Sequence, residues 1–316
     1  MANSRPSRGK LCVRVVIDIV CIALVAIPIG LFTLIGVPYH RGFFCNDESL
    51  KHPFLGNTIP TWLLGVVGLG LPILCILVIE ALHEKKTSCF GIVSTDPNEH
   101  TKSYFEKCYK IIIVFIFGSA VTQLLTEIGK FSIGRLRPHF FAVCNPDMAN
   151  IDCNSGYIMD FTCKGTNSYR LRDMRLSFPS GHASIAVYCM IFLMAYLQAR
   201  LTTARTNLIR PVMQLVAFGL AFFTCLSRIS DYKHHWSDVL AGAILGTLIS
   251  CLVITFLSSF RLERRSVMRF YRSRHEKFPL YHQNGRQETS SSGPSDDTAE
   301  MNEELTHVIS HVSRGK

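Results

Sequence analysis

The chain has 316 residues, of which 48% are hydrophobic and only 18% charged, yet it carries a formal net charge of +10. Length alone would suggest about two soluble domains, but positive mean hydropathy (+0.24) and apolar runs of roughly 20 residues place the chain in the membrane class. The lysines and arginines sit beside those runs and in one basic segment after the last, with no separate basic domain, which argues against a nucleic-acid partner.

Taken in chain order, the apolar runs predict an all-α polytopic membrane protein with six transmembrane helices. They span about Val15–Gly36, Thr61–Leu82, Tyr109–Ile128, Ala183–Gln198, Leu208–Leu226 and Asp238–Phe260. Each is long enough, or nearly so, to cross about 30 Å of hydrocarbon at about 1.5 Å per residue. The fourth is short and is expected to begin inside the polar motif before it. The first follows a basic N-terminus but is too long for a signal segment and has no small-x-small cleavage site, so it reads as an uncleaved anchor. Lysine and arginine in the flanks before span one, between spans two and three, between four and five, and after six all fall on one side, which is then cytosolic. Both termini are expected inside (N-terminus 1–14), with loops 37–60, 129–182 and 227–237 facing the exterior or lumen. The loop 129–182 also carries Lys130, Arg135, Arg137, Lys164, Arg170, Arg172 and Arg175, which raises the question of what those cations bind.

Three polar stretches lie at the outer ends of spans three, four and six. After span three, Lys130 and Arg137 stand seven positions apart, a point charge and a fork able to converge on one phosphate, with Pro138 expected to stop the helix. Headgroup snorkelling is the better explanation of that pair when it is taken alone. Before span four, Pro179-Ser180-Gly181-His182 puts a serine cap and a glycine at a helix start, where free N–H groups and the dipole cradle an anion. The third stretch runs Ser227-Arg228 to His234-His235-Trp236-Ser237-Asp238. If the chain is helical from Lys233, His234 and Asp238 stack at i and i+4, and the carboxylate holds the imidazole by one nitrogen. Spacing alone does not separate His234 from His235, which also reaches Asp238.

Lys130-x6-Arg137-Pro138, Pro179-Ser180-Gly181-His182 and Ser227-Arg228-x5-His234-x3-Asp238 together resemble the three-part signature of the type 2 phosphatidic acid phosphatase superfamily. Within it, Pro38-Tyr-His-Arg-Gly-Phe-Phe-Cys45 and Ile133-Gly-Arg-Leu-Arg-Pro-His139 are similar to the animal lipid phosphate phosphatases. The resemblance covers about residues 12–262 and implies a phosphatase core at the outer membrane surface, working without metal or other cofactor. It implies His234 as nucleophile, Asp238 orienting it, His182 as general acid, and Lys130, Arg137, Ser180, Gly181 and Arg228 as phosphate ligands. The choice of His234 over His235 comes from the family pattern. Neutral His234 together with protonated His182 would make the rate bell-shaped in pH. The implied substrates are phosphatidate, lysophosphatidate, sphingosine 1-phosphate and ceramide 1-phosphate, and the expected location is the plasma membrane. The alternative is a catalytically silent relative that binds lipid or acts as a scaffold.

Other residues carry smaller expectations. Glu127 is expected to pair with Lys130, and Asp18 and Glu80 to be solvated near the cytosolic interface. Cys45, Cys144, Cys153 and Cys163 face an oxidising compartment, where disulfides are expected, among the last three especially. Cys89 and Cys108 are assigned to a cytosolic loop. Gly65, Gly68, Gly70, Gly242 and Gly246 permit close helix approach, in ordinary bundle packing, a lipid groove or a homo-oligomer face. No Asn-x-Ser/Thr sequon occurs. Residues 261–282 read as a basic surface helix on the anionic leaflet and 283–316 as a disordered cytosolic tail.

Overall fold

The structure, a computed structural model, describes residues 8–89, 97–201 and 208–257. The expected basic helix and tail lie outside the described residues. The first span is α1 (Arg8–Ile35), and the second runs from α2 (Thr61–Gly65) through a π-turn (Val66–Gly70) into α3 (Leu71–Cys89). The others are α4 (Pro97–Ile133), α7 (Gly181–Arg200), α8 (Ile209–Ser230) and α9 (Trp236–Leu252). All six are long and apolar enough to cross a membrane, as the hydropathy predicts. The third begins earlier than its apolar run because α4 carries its helix through polar turns from Pro97. Cys108 therefore lies inside α4 and is buried, not in a loop as expected.

The helix α7 is the central post, more than half buried and the least hydrophobic of the six. Protein surrounds it in place of lipid, so small and polar side chains fit where lipid would require leucine. A Cβ at Gly242 would strike the carbonyl of Ser180 and one at Gly246 that of Ser184, so α9 lies backbone to backbone against α7. These glycines serve packing within the bundle.

Glu80 departs from expectation: it is buried, bound by Arg200 Nε (2.8 Å) and Nη2 (2.9 Å) and by the Tyr196 hydroxyl (3.0 Å). A carboxylate within the hydrocarbon zone has to be paired in this way. Asp18 accepts from the Tyr109 hydroxyl at 2.8 Å, tying α1 to α4. At its other end α1 is held by Arg172, whose guanidinium donates to the carbonyls of Phe32 and Thr33 at 2.7 Å each. A cation there complements the negative end of the helix dipole.

Above the bundle sits a second, smaller core of Phe43, Leu50, Leu136, Phe140, Ile158 and Met174. It is framed by α5 (Phe140–Cys144), α6 (Ser168–Asp173) and the antiparallel pair β1 (Phe43–Phe44) and β2 (Tyr157–Ile158). Two disulfides close it, Cys45–Cys153 and Cys144–Cys163. All four expected cysteines are used, Cys45 included. Trp62 and Trp236, both highly exposed, stand at the starts of α2 and α9 on this same side, where an aromatic belt meets the headgroups.

Candidate active site

The three polar stretches meet beneath this outer core. Helix α4 ends at Ile133, five residues before the proline expected to stop it. Gly134 takes a left-handed φ of +58°, and its N–H reaches the carbonyl of Lys130 at 3.0 Å, the usual glycine closure of a helix. A Cβ there would collide with the carbonyl of Tyr39. The turn sends Arg135 and Arg137 back over the bundle, so Lys130 and Arg137 approach from a helix and a loop, not along one helix face.

Lys130 pairs with Glu127 at 2.8 Å, as expected. Its Nζ would lie 3.4 Å from a Cβ at Gly181, which puts the ammonium over the N-terminus of α7. Ser180 caps that helix and its N–H bonds the carbonyl of Asp238 at 3.0 Å, joining the second stretch to the third. Arg137 holds Asp173 through Nη2 at 2.6 Å, while its buried Nε has no hydrogen-bond partner. Arg228, 1% exposed, donates to Asp231 (2.7 Å) and to Asn57 Oδ1 (3.1 Å).

His234 is buried, and its Nδ1 donates to the carbonyl of Ser177 at 2.7 Å. A carbonyl can only accept, so the proton sits on Nδ1 and the lone pair on Nε2. Burial, followed by the charges of Arg137 and Lys130, holds the imidazole well below its ordinary pKa and keeps it neutral. The expectation that Asp238 grips His234 directly is corrected. The helix α9 starts at Trp236, so His234 precedes the helix and the i, i+4 stacking does not arise. Asp238 instead folds back on the cap residue His235, accepting from its N–H at 3.0 Å and pairing with Nδ1 at 3.1 Å. The same carboxylate accepts from Ser177 Oγ at 2.6 Å and from Arg135. Asp238 thus reaches His234 through Ser177, whose hydroxyl it holds and whose carbonyl holds the ring.

The strap Leu55–Ile59, from the first outer loop, is a part of the site that sequence reasoning missed. The Leu55 carbonyl accepts from Lys233 Nζ (2.5 Å) and Asn57 meets Arg228. Thr58 donates twice to Asp231 (2.8 and 2.7 Å), and the Ile59 carbonyl accepts from His182 Nε2 (3.2 Å). Lys233 also sits 3.8 Å from the Phe54 ring centroid, and burial lowers its pKa to about 8. His139 is likewise buried, donating Nδ1–H to the Tyr232 carbonyl at 2.8 Å, with its pKa lowered by burial to about 4. The sequence signals for Arg135 and His139 were the unexplained outer cations and the string Ile133–His139; the strap residues gave none. Among the described residues no three His, Cys, Asp or Glu side chains cluster as metal donors.

The arrangement is a basic cluster at the positive end of α7 that encloses His234, a neutral imidazole with a free lone pair on Nε2. A model of the PAP2 superfamily matches residues 111–261. A putative phosphatidate phosphatase of Drosophila melanogaster is 43% identical over 79% of this chain and 69% of its own length. Phospholipid phosphatase 1 of Rattus norvegicus is 44% identical over 78% of this chain and 85% of its own. Phospholipid phosphatase 2 of Homo sapiens is 38% identical over 78% and 84%. No solved structure matches the chain. The family model covers the three converging stretches, and relatives 38% to 44% identical match most of both chains; on these grounds the chain belongs to the PAP2 superfamily.

Proposed function

We propose that this protein is a lipid phosphomonoesterase that dephosphorylates a membrane lipid at the exoplasmic surface through a phosphohistidine, without metal. His234 Nε2 attacks phosphorus, the ester P–O bond breaks, and the alcohol leaves with a proton from His182. Water then breaks the P–N bond and inorganic phosphate departs. Lys130, Arg137, Arg228, the Ser180 hydroxyl and the Gly181 N–H stabilise charge on the equatorial oxygens. The unpartnered Nε–H of Arg137 is a donor ready for one of them. Asp238 and Ser177 position the nucleophile. The His182 N–H, which donates to the Ile59 carbonyl while the strap is closed, becomes free for the leaving alcohol as the strap yields to substrate.

The observation that carries this reading is the state of His234: buried and neutral, fixed in one tautomer, and facing the charges of Arg137 and Lys130. The names of the relatives support a phosphatidate-like substrate, with lysophosphatidate, sphingosine 1-phosphate and ceramide 1-phosphate in the same class. Disulfides on both outer loops support an oxidising compartment, extracellular or lumenal, on the site's side, hence cytosolic termini. The test is phosphate release from phosphatidate by purified protein in excess chelator. Activity should persist in chelator and disappear in His234→Ala. Loss of activity in chelator would exclude the metal-free mechanism, and wild-type inactivity would favour a silent lipid-binding relative.

A further inference from the structure

An apolar groove of about 220 Å³ opens directly below the anion site, between the π-turn of the second span, α7 and α8. Its floor is buried: Met190, Ala221 and Thr224 all line it, and none is more than 7% exposed. Its α8 rim is not, because Phe223 is 56% exposed on the face that meets lipid. The groove therefore communicates sideways with the bilayer. Its upper end is built from the site itself. Thr58 and Ile59 line it while holding Asp231 and His182, and Thr224 lies one turn before Arg228 on α8. A phosphate on Arg228 would leave the rest of its molecule at the top of this groove.

Gly68 lies in the π-turn, a departure from α-helix that frequently marks functional positions. It lines the groove, and a Cβ there would meet only Cys189 Sγ at 3.8 Å and Leu64 at 3.9 Å, ordinary contact distances. Nothing in the packing demands a glycine, so its smallness leaves volume open. Bilayer tails are as apolar as the groove, so a chain gains no hydrophobic free energy by entering it. What the groove gives is register, because a chain seated in it fixes where the headgroup phosphorus stands relative to His234.

We propose that the groove seats the first methylenes of the substrate's hydrocarbon chain, with Gly68 as a specificity-determining residue that keeps the passage open. The proposal rests on the phosphatase reading above. Its test compares kcat/KM for long-chain lysophosphatidate in mixed micelles with that for p-nitrophenyl phosphate, which has no chain. In Gly68→Leu the ratio of lipid to soluble substrate should fall at least tenfold, mainly through KM. In Gly30→Leu, on α1 where a Cβ meets nothing within 4 Å, the ratio should match wild type. An unchanged ratio in Gly68→Leu would overturn the groove while leaving the phosphatase reading intact.

Wild-type inactivity on both substrates would instead strike the phosphatase reading. The second measurement then decides the groove by itself and also serves if Gly68→Leu does not fold. Lysophosphatidate bearing a diazirine near the headgroup is photolysed with wild type and with His234→Ala, and the labelled peptides are mapped. Label on residues 186–190 or 220–224 supports the groove, and label confined to α1 overturns it.

Discussion

Ser177 holds the proposed nucleophile and its support together, with its carbonyl on His234 Nδ1 and its hydroxyl on Asp238 Oδ2. Because the carboxylate acts at one remove, Asp238→Asn should lower kcat by roughly a hundredfold, the cost of a small misplacement of the attacking atom. His234→Ala should leave no measurable turnover. Single-turnover rates with equal amounts of folded protein separate the two, and equal losses would mean a direct Asp238–His234 contact. The wrong partner had a definite cause. The four-residue spacing looked helical, but a helix starting at Trp236 makes Asp238 a capping residue for His235. Sequence can show which polar groups are near each other in the chain, while the position of the first helical turn decides which of them touch.

At the scale of elements, the bundle supplies fixed cations and the strap Leu55–Ile59 latches over them. Lys233 is the pH-sensitive part of the latch: burial lowers its pKa to about 8, with the Arg137 charge adding to the effect. A lysine shifted downward carries its charge below that value and loses it above. On passing pH 8 the charged bond to the Leu55 carbonyl and the contact with the Phe54 ring both weaken. We expect kcat/KM to fall above pH 8 in wild type, and the alkaline limb to move upward in Lys233→Arg, whose guanidinium stays charged. An unmoved limb would show that Lys233 is not its source. The spans themselves were readable because hydropathy reports lipid contact directly. The strap was not, since its five residues act through main-chain carbonyls, an asparagine and a threonine held by tertiary contacts far apart in sequence.

For the whole molecule, the outer core makes the site rigid by tying the first outer loop to the long one through Cys45–Cys153, 108 residues apart. Replacing both cysteines by serine should cost about 2–5 kcal/mol of stability, read as a lower thermal midpoint in detergent. The same variant should raise KM, because the strap belongs to the loop that is released. An unchanged KM would mean that the strap is held by its bonds to Asp231 and Lys233 alone. The six spans and the three polar stretches are legible in the sequence, and the convergence of the stretches depends on α7 and α9 packing through Gly242 and Gly246. The central claim is that His234 carries the phosphoryl group. The most direct measurement is rapid quenching of a reaction with 32P-labelled phosphatidate in chelator, followed by peptide mapping. The account predicts an acid-labile, alkali-stable phosphate on His234 that is absent from His234→Ala; label on another residue, or turnover that survives that substitution, would contradict it.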